Sequence, residues 1–150
     1  MEKTSDEEEL SRLAYEAQAY QQQGEVLRRQ LSAVSMKIAE IEGSVEALRK
    51  LGSKKNLFHM GSGVYVKVSD VDANSFLVNV GANVIVAKTK EETEEFLVKK
   101  KKELEEMQDM IEKRMAETAG RLQEIDRSTR KLLEKMKDVR NSEEQDSRVR

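Results

Sequence analysis

The stretch LSRLAYEAQAYQQQGEVLRRQLSAVSMKIAEIEGSVEAL, residues 10–48, decides the fold. Its apolar or small residues recur at alternating intervals of three and four, which is the spacing of a and d positions in a heptad repeat. A stripe of this kind on one face of a helix needs a second helix to cover it. The seam of this first helix consists of Leu10, Leu13, Ala17, Tyr20, Gly24, Leu27, Leu31, Val34, Ile38, Ile41, Val45 and Leu48.

A second heptad seam lies between residues 97 and 139 and predicts the partner helix. Lys101 and Gln108 take two of its early positions, and we expect Met107 and Met110 to cover this more polar stretch. The remaining positions are mostly apolar, as a coiled coil requires. They are Leu97, Leu104, Ile111, Thr118, Ile125, Leu132 and Val139, with Met115, Leu122, Thr129 and Met136 between them.

The two seams have similar lengths, so the sequence predicts an antiparallel helical hairpin. Both chain ends then lie at the end of the helix pair that is far from the intervening segment. Because the start of the first helix then pairs with the end of the second, we expect Gly24 to face the neighbourhood of Leu122 and Ile125. A small residue opposite large ones is reasonable packing for a seam.

The segment between the helices changes period. Apolar residues alternate from residue 56 to residue 88, and β-branched residues are dense, which is typical of strands. Turn residues are expected at Gly61-Ser62-Gly63, at Asp70 to Ser75 and at Gly81-Ala82. We predict two β-hairpins made of four short strands, at residues 56–60, 63–69, 75–80 and 83–88.

Capping patterns place the ends of the helices. Thr89 with Glu92 forms a capping box that begins the second helix, and Thr4 with Glu7, or Ser5 with Glu8, offers one before the first. Gly52 is the expected end of the first helix. The positive charges near that end are favourable beside the C-terminus of the helix dipole; they belong to Arg49, Lys50, Lys54 and Lys55. The predicted organisation is one domain: a charged lead-in at 1–9, a helix at 10–51, β-hairpins at 56–88, a helix at 89–140 and a disordered polar tail at 141–150.

Composition excludes several classes of function. The 150 residues include no cysteine, no proline and one histidine, His59, so a metal site is not expected and no cofactor is predicted. No nucleophile stands beside a base, which argues against an enzyme. The net charge of −2 argues against nucleic acid. Without a signal peptide or an apolar run long enough for a membrane span, a cytoplasmic protein is expected.

Two stretches carry a resemblance to a known family. The segment GSGVYVKVSDVDANSFLVNVGANVIVAKTKEETEEFL, residues 61–97, resembles the alpha-class subunit of prefoldin, the hexameric co-chaperone, with an archaeal-like compactness. The stretch LAYEAQAYQQQGEVLRRQL, residues 13–31, is similar to the family's opening helix. The resemblance implies an α+β fold: a long antiparallel coiled-coil hairpin with two β-hairpins between the helices, whose strands assemble into an intersubunit β-barrel.

The resemblance also implies a function. Two alpha and four beta-class subunits form a hexamer, from which six coiled coils project. Their tips hold unfolded or nascent polypeptides without ATP and deliver them to a group II chaperonin. Neither nucleic acid nor a membrane is an implied partner.

The candidate client-binding residues lie where the predicted seam frays, near both chain ends. Ordinary seam packing is the alternative for Leu10, Leu13, Leu132 and Met136. Tyr15 and Leu133 lie off the seam, so client binding is the better interpretation for these two residues. The full set is Leu10, Leu13, Tyr15, Ala17, Leu132, Leu133, Met136 and Val139.

The candidate assembly residues are the alternating apolar residues of the strands. They would fill a barrel or an inter-sheet contact between subunits, with an intramolecular core as the alternative. They are Val64, Val66, Val68, Phe76, Val78, Val80, Val84 and Val86.

Two rival functions remain open. The first is a structural coiled-coil or filament-forming scaffold that transfers no client, which electron microscopy would reveal as long fibres. The second is a subunit of a nucleic-acid complex, which would bind DNA or RNA with strong salt dependence.

Overall fold

A computed structural model of the chain describes residues 2–51, 56–72 and 74–148. Two long helices enclose two antiparallel β-hairpins in sequence, as predicted. The order of elements is α1 (Glu2–Lys50), β1 (Asn56–Gly61), β2 (Val64–Val68), β3 (Phe76–Gly81), β4 (Val84–Lys88) and α2 (Lys90–Arg148).

Both helices extend beyond their predicted outer ends. Helix α1 begins at Glu2, so the capping patterns predicted around residues 4–8 lie inside it. Helix α2 continues to Arg148 through most of the segment predicted to be disordered. Acidic side chains favour a helix N-terminus, and the polar tail contains no proline or glycine to stop a helix. The predicted end at Gly52, with Lys54 and Lys55, lies outside the described residues.

The chain forms two compact units, of which the first comprises Met1–Ser32 and Asp109–Arg150. Here α1 and α2 pack antiparallel: Lys135 pairs with Asp6 at 3.3 Å, and Gly24 lies against Thr118. The predicted seam positions are buried or half-buried, apart from the partly exposed Val139. The apolar core of this unit consists of Leu13, Leu27, Ile111 and Ile125.

The register of the two helices differs from the prediction by about one turn. A Cβ placed on Gly24 would lie 3.9 Å from Thr118 Cγ2, so Thr118 is its neighbour, and not the pair Leu122 and Ile125. Sliding one heptad helix past another by one layer preserves the apolar stripe, so spacing alone does not fix the register. The length of the intervening segment and the charge pairs across the seam add the missing information.

The second unit, Ala33–Gln108, contains the other halves of the helices and both hairpins. Val34, Ile41 and Leu48 are buried in its seam. Lys101 replaces an apolar seam residue, and its Nζ lies 2.7 Å from Glu42 Oε1 on α1. That hydrogen bond to the Glu42 carboxylate raises the pKa of Lys101 above its ordinary value, against a smaller opposing effect of desolvation. The ammonium therefore remains charged at this seam position.

Two predictions for this part of α2 have different outcomes. Met107 and Met110 are exposed and do not cover the polar seam positions, contrary to expectation. The predicted capping box is confirmed: Thr89 N–H donates to Glu92 Oε2 at 2.9 Å, and Glu92 N–H donates to Thr89 Oγ1 at 3.2 Å. Thr93, buried in the following turn, donates its hydroxyl to Thr89 O at 2.7 Å.

The two hairpins share one turn design. Each has two central residues with positive φ, which is the requirement of a type I′ turn. In the second hairpin these residues are Ala82 (φ 47°) and Asn83 (φ 61°), and Gly81 (φ 119°) occupies a bulge before them. Asn79 Oδ1 accepts a hydrogen bond from Gly81 N–H at 2.9 Å and fixes this bulge.

Replacing Ala82 with asparagine is expected to stabilise the second hairpin. The left-handed conformation costs an ordinary L-residue about 1–2 kcal/mol, whereas asparagine tolerates it. We expect amide exchange in residues 76–88 to slow about fivefold, the equivalent of about 1 kcal/mol. Ala87→Asn, in the extended strand β4, is the control that brings no such gain. Equal exchange in A82N and the parent would show that the turn is not strained.

Candidate functional site

The chain-terminal end of the first unit contains a charged residue within the apolar seam. Asp6 lies four residues before Leu10 and therefore takes the preceding seam position. Its side chain is only 15% exposed and pairs with Lys135, so a carboxylate closes the seam where an apolar side chain would continue it. The sequence prediction missed this feature because it treated residues 1–9 as a lead-in.

Beside this ion pair lies a solvent-open cleft of about 470 Å³. Its apolar wall is formed by Leu133, Met136 and Val139 of α2. We call it the terminal cleft; its lining residues are Asp6, Glu7, Leu133, Lys135, Met136, Lys137, Val139 and Arg140. An apolar wall rimmed by charges of both signs can accept an apolar side chain of a polypeptide without demanding a particular sequence.

The cleft brings together three of the eight predicted client-binding residues. Leu133 is 43% exposed and Val139 is 39% exposed, while Met136 is half-buried between the cleft and the seam. Leu133 lies off the seam, as predicted, and so its exposed area is not needed for pairing of the helices.

The other five predicted residues lie elsewhere in this unit. Leu13 is buried in the seam, and Leu10, Ala17 and Leu132 are half-buried seam residues. Tyr15 is 75% exposed and does not line the terminal cleft. Four of the five therefore contribute mainly to helix packing, and Tyr15 is a separate exposed aromatic ring.

The hairpins of the second unit carry the other candidate surface. Cross-strand partners share a face, so Phe58 lies beside Val66 and Val78 beside Val86. On each hairpin, the face that contains these pairs is called the first face. It holds the predicted assembly residues, except that Val80 lies in the bulge of the second hairpin. Of those eight residues only Val78 is buried. The exposed ones are Val64, Val66, Val80, Val84 and Val86, while Val68 and Phe76 are half-buried.

The opposite face of both hairpins, the second face, also carries large apolar side chains, among polar ones such as Lys67 and Asn79, and the sequence analysis missed them. Leu57 and Tyr65 belong to the first hairpin, Leu77 and Ile85 to the second, and all four are more than half exposed. The unbroken apolar run at residues 84–87 was the available signal, because strands covered on both faces lose their alternation. His59, whose ring lies 5.0 Å from that of Tyr65, is a cross-strand neighbour on this face.

Two other kinds of feature are absent from the part of the chain that the structure describes. No group of three or more His, Cys, Asp or Glu side chains in that part is placed to hold a metal ion. Nor does any helix there have the length and apolar character needed to cross a membrane.

Comparisons with known proteins agree with this architecture. Residues 20–135 match the family model described as "Prefoldin subunit". The chain is 35% identical over 126 residues to prefoldin subunit alpha of Thermofilum pendens, covering 79% of this chain and 95% of that protein. It is 31% identical over 132 residues to prefoldin subunit alpha of Pyrococcus horikoshii, covering 85% and 89% respectively.

A solved structure shows the same fold. A filamentous prefoldin chain from Methanocaldococcus jannaschii, determined by cryo-electron microscopy, superposes with a TM-score of 0.63 at 24% identity. The match covers 77% of this chain and 98% of that chain. With the family match over most of its length and alpha subunits among its relatives, this chain belongs to the prefoldin family of chaperone subunits.

Proposed function

We propose that this chain is the alpha-class subunit of a hexameric co-chaperone, which binds unfolded or nascent polypeptides and passes them to a group II chaperonin. The observation that carries the client-binding part is the terminal cleft, whose apolar wall stays open to solvent next to the Asp6–Lys135 pair. Partners of the proposed hexamer are four beta-class subunits and a second copy of this chain. The complex acts in the cytoplasm and uses no ATP.

The hairpins support the assembly part of the proposal. Each is a two-stranded ribbon whose backbone pairing among the described residues stays within the hairpin. Isolated ribbons of this size are marginally stable, and free edges readily pair with strands of another chain. Exposed apolar side chains on both faces provide a large area for burial between subunits.

The terminal cleft supports weak and unspecific client binding. Burial of one apolar side chain contributes roughly 1.5–3 kcal/mol, so a single cleft with Leu133, Met136 and Val139 holds a polypeptide poorly. Several clefts that engage one client gain through effective concentration and hold it firmly. The flexible thioether of Met136 adapts to side chains of different shape. Release to a chaperonin then requires only that these individually weak contacts be replaced.

The test is reconstitution with beta-class subunits, followed by native mass measurement and an aggregation assay. We expect a hexamer of two alpha and four beta subunits that suppresses light scattering by a denatured model enzyme diluted from guanidinium chloride. When a group II chaperonin is added, we expect it to take up the bound enzyme while the hexamer hydrolyses no nucleotide. A hexamer that leaves the scattering unchanged would contradict the proposed function.

A second candidate is a filament-forming scaffold, which the hairpin ribbons also permit. Two-stranded ribbons with exposed apolar side chains on both faces are compatible with open-ended association of identical chains as well as with a closed hexamer. Electron microscopy of the isolated chain separates the two: fibres support a scaffold, and particles that appear only with beta-class subunits support the co-chaperone.

A further inference from the structure

In one layer of the helix pair of the first unit, neither helix contributes a large side chain to the seam. Gly24 takes a seam position of α1, and its neighbour across the seam is Thr118, which is only 5% exposed. The contact therefore joins a glycine to a threonine methyl group. The next seam residue of α1 is the buried Leu27, and the next one of α2 is the half-buried Leu122.

A solvent-open pocket of about 290 Å³ lies on the Thr118 side of this layer. Most of the side chains around this pocket are polar or charged, so they add little apolar packing to the layer. The lining residues are Tyr20, Gln23, Arg114, Glu117, Thr118 and Arg121.

The backbones are weak at the same level of both helices. Glycine is the poorest helix former after proline, which lowers the local stability of α1 at Gly24. On α2, Thr118 Oγ1 donates to Arg114 O at 2.9 Å, a back-bond that loosens and often bends a helix. Gly120 follows two residues later, and nothing lies within 4 Å of where its Cβ would be. A back-bonded threonine close to a glycine therefore lowers the resistance of α2 to bending at this level.

We propose that the Gly24–Thr118 layer is a joint, at which both helices of the first unit open together and bend. Residues 2–23 with 119–148 move as one segment relative to the remainder of that unit. If the proposed function is correct, the joint lets the segment that carries the terminal cleft follow clients of different size.

Gly24→Ala tests the joint, and Gly43→Ala is its matched control. Both changes give a helix the same gain in propensity, and both positions accept a methyl group: at Gly24 it would lie at ordinary contact distance from Thr118, and at Gly43 nothing lies within 4 Å. In the assembled complex, we expect G24A to slow amide exchange about fivefold, or about 1 kcal/mol, in residues 20–28 and also in 114–122. G43A should slow exchange only around residue 43.

A distance measurement gives an independent readout. The chain has no cysteine, so spin labels attached to Arg12→Cys and Arg29→Cys report on α1 alone. Both positions are exposed. We expect a broad distance distribution in the parent that narrows with G24A and is unaffected by G43A.

Two results would overturn the joint: slowing by G24A confined to α1, or equal distance widths in G24A, G43A and the parent. Thr118→Val keeps the shape of the side chain and removes the back-bond, so it should slow exchange in 114–122 even if G24A perturbs folding. Neither readout uses a client, so failure of the joint is distinguishable from failure of the proposed function.

Discussion

Val86→Asp is expected to abolish assembly with beta-class subunits. Val86 lies on the first face of the second hairpin beside Val78, and its side chain is partly exposed in the single chain. If the first face is buried between subunits, the new carboxylate must lose its water without a partner. That loss costs at least about 3 kcal/mol, so the dissociation constant should rise more than a hundredfold. Native mass measurement across a dilution series provides the test.

Asn83→Asp is the control for this variant. It adds the same charge to the same hairpin, but in the turn, where asparagine and aspartate both tolerate positive φ. Assembly of N83D should match the parent. A V86D chain that still forms the hexamer at parental concentration would contradict the assignment of the first face to the interface.

Leu133→Ser combined with Val139→Ser is expected to weaken client protection strongly while leaving the hexamer intact. Both side chains line the terminal cleft and are partly exposed, so the helix pair depends little on them. Each substitution removes roughly 1.5–3 kcal/mol of the free energy that burial of the apolar side chain against a client would contribute. Suppression of aggregation should then require at least about tenfold more complex. Light scattering of a diluted denatured enzyme measures the effect.

The matched control removes two apolar side chains that lie outside the terminal cleft and are at least as exposed as Leu133 and Val139. Met36→Ser with Val98→Ser changes two such residues in the second unit and should leave protection unchanged. Tyr15→Ser, tested alone, reports whether the exposed ring away from the cleft contributes. If the control pair weakens protection as much as the cleft pair, clients bind along the helices and not in the terminal cleft.

The sequence was most informative where one physical signal dominates. Heptad spacing predicted both helices and nearly every buried seam residue. In such a polar chain, an apolar stripe on a helix is stable only when a second helix covers it. The change to period two predicted all four strands, and the reciprocal hydrogen bonds of Thr89 and Glu92 follow directly from the capping-box pattern.

Features that depend on partners across the fold were harder to predict. Asp6 and Thr93 occupy buried or nearly buried seam positions because Lys135 and Thr89 O, respectively, satisfy their polar atoms. Neither partner is recognisable from periodicity. The register of Gly24 with Thr118 was missed for a similar reason, since a heptad seam stays apolar when it slides by one layer.

The candidate surfaces show the same limit. Alternation directs attention to one face of a strand, so Leu77 and Ile85 on the second face were overlooked although both are highly exposed. The terminal cleft combines Leu133 of one helix with Asp6 of the other, and only the helix pairing brings them together.

The two-faced hairpins have a consequence for the supply of this subunit. A newly made copy without partners presents Leu57, Tyr65, Leu77 and Ile85 to solvent, and among the described residues neither hairpin has a third strand beside it. Those are the features by which proteases and holding chaperones distinguish damaged proteins from sound ones. A surplus copy would thus be treated as misfolded material, and its abundance in the cell should follow the synthesis of its partners.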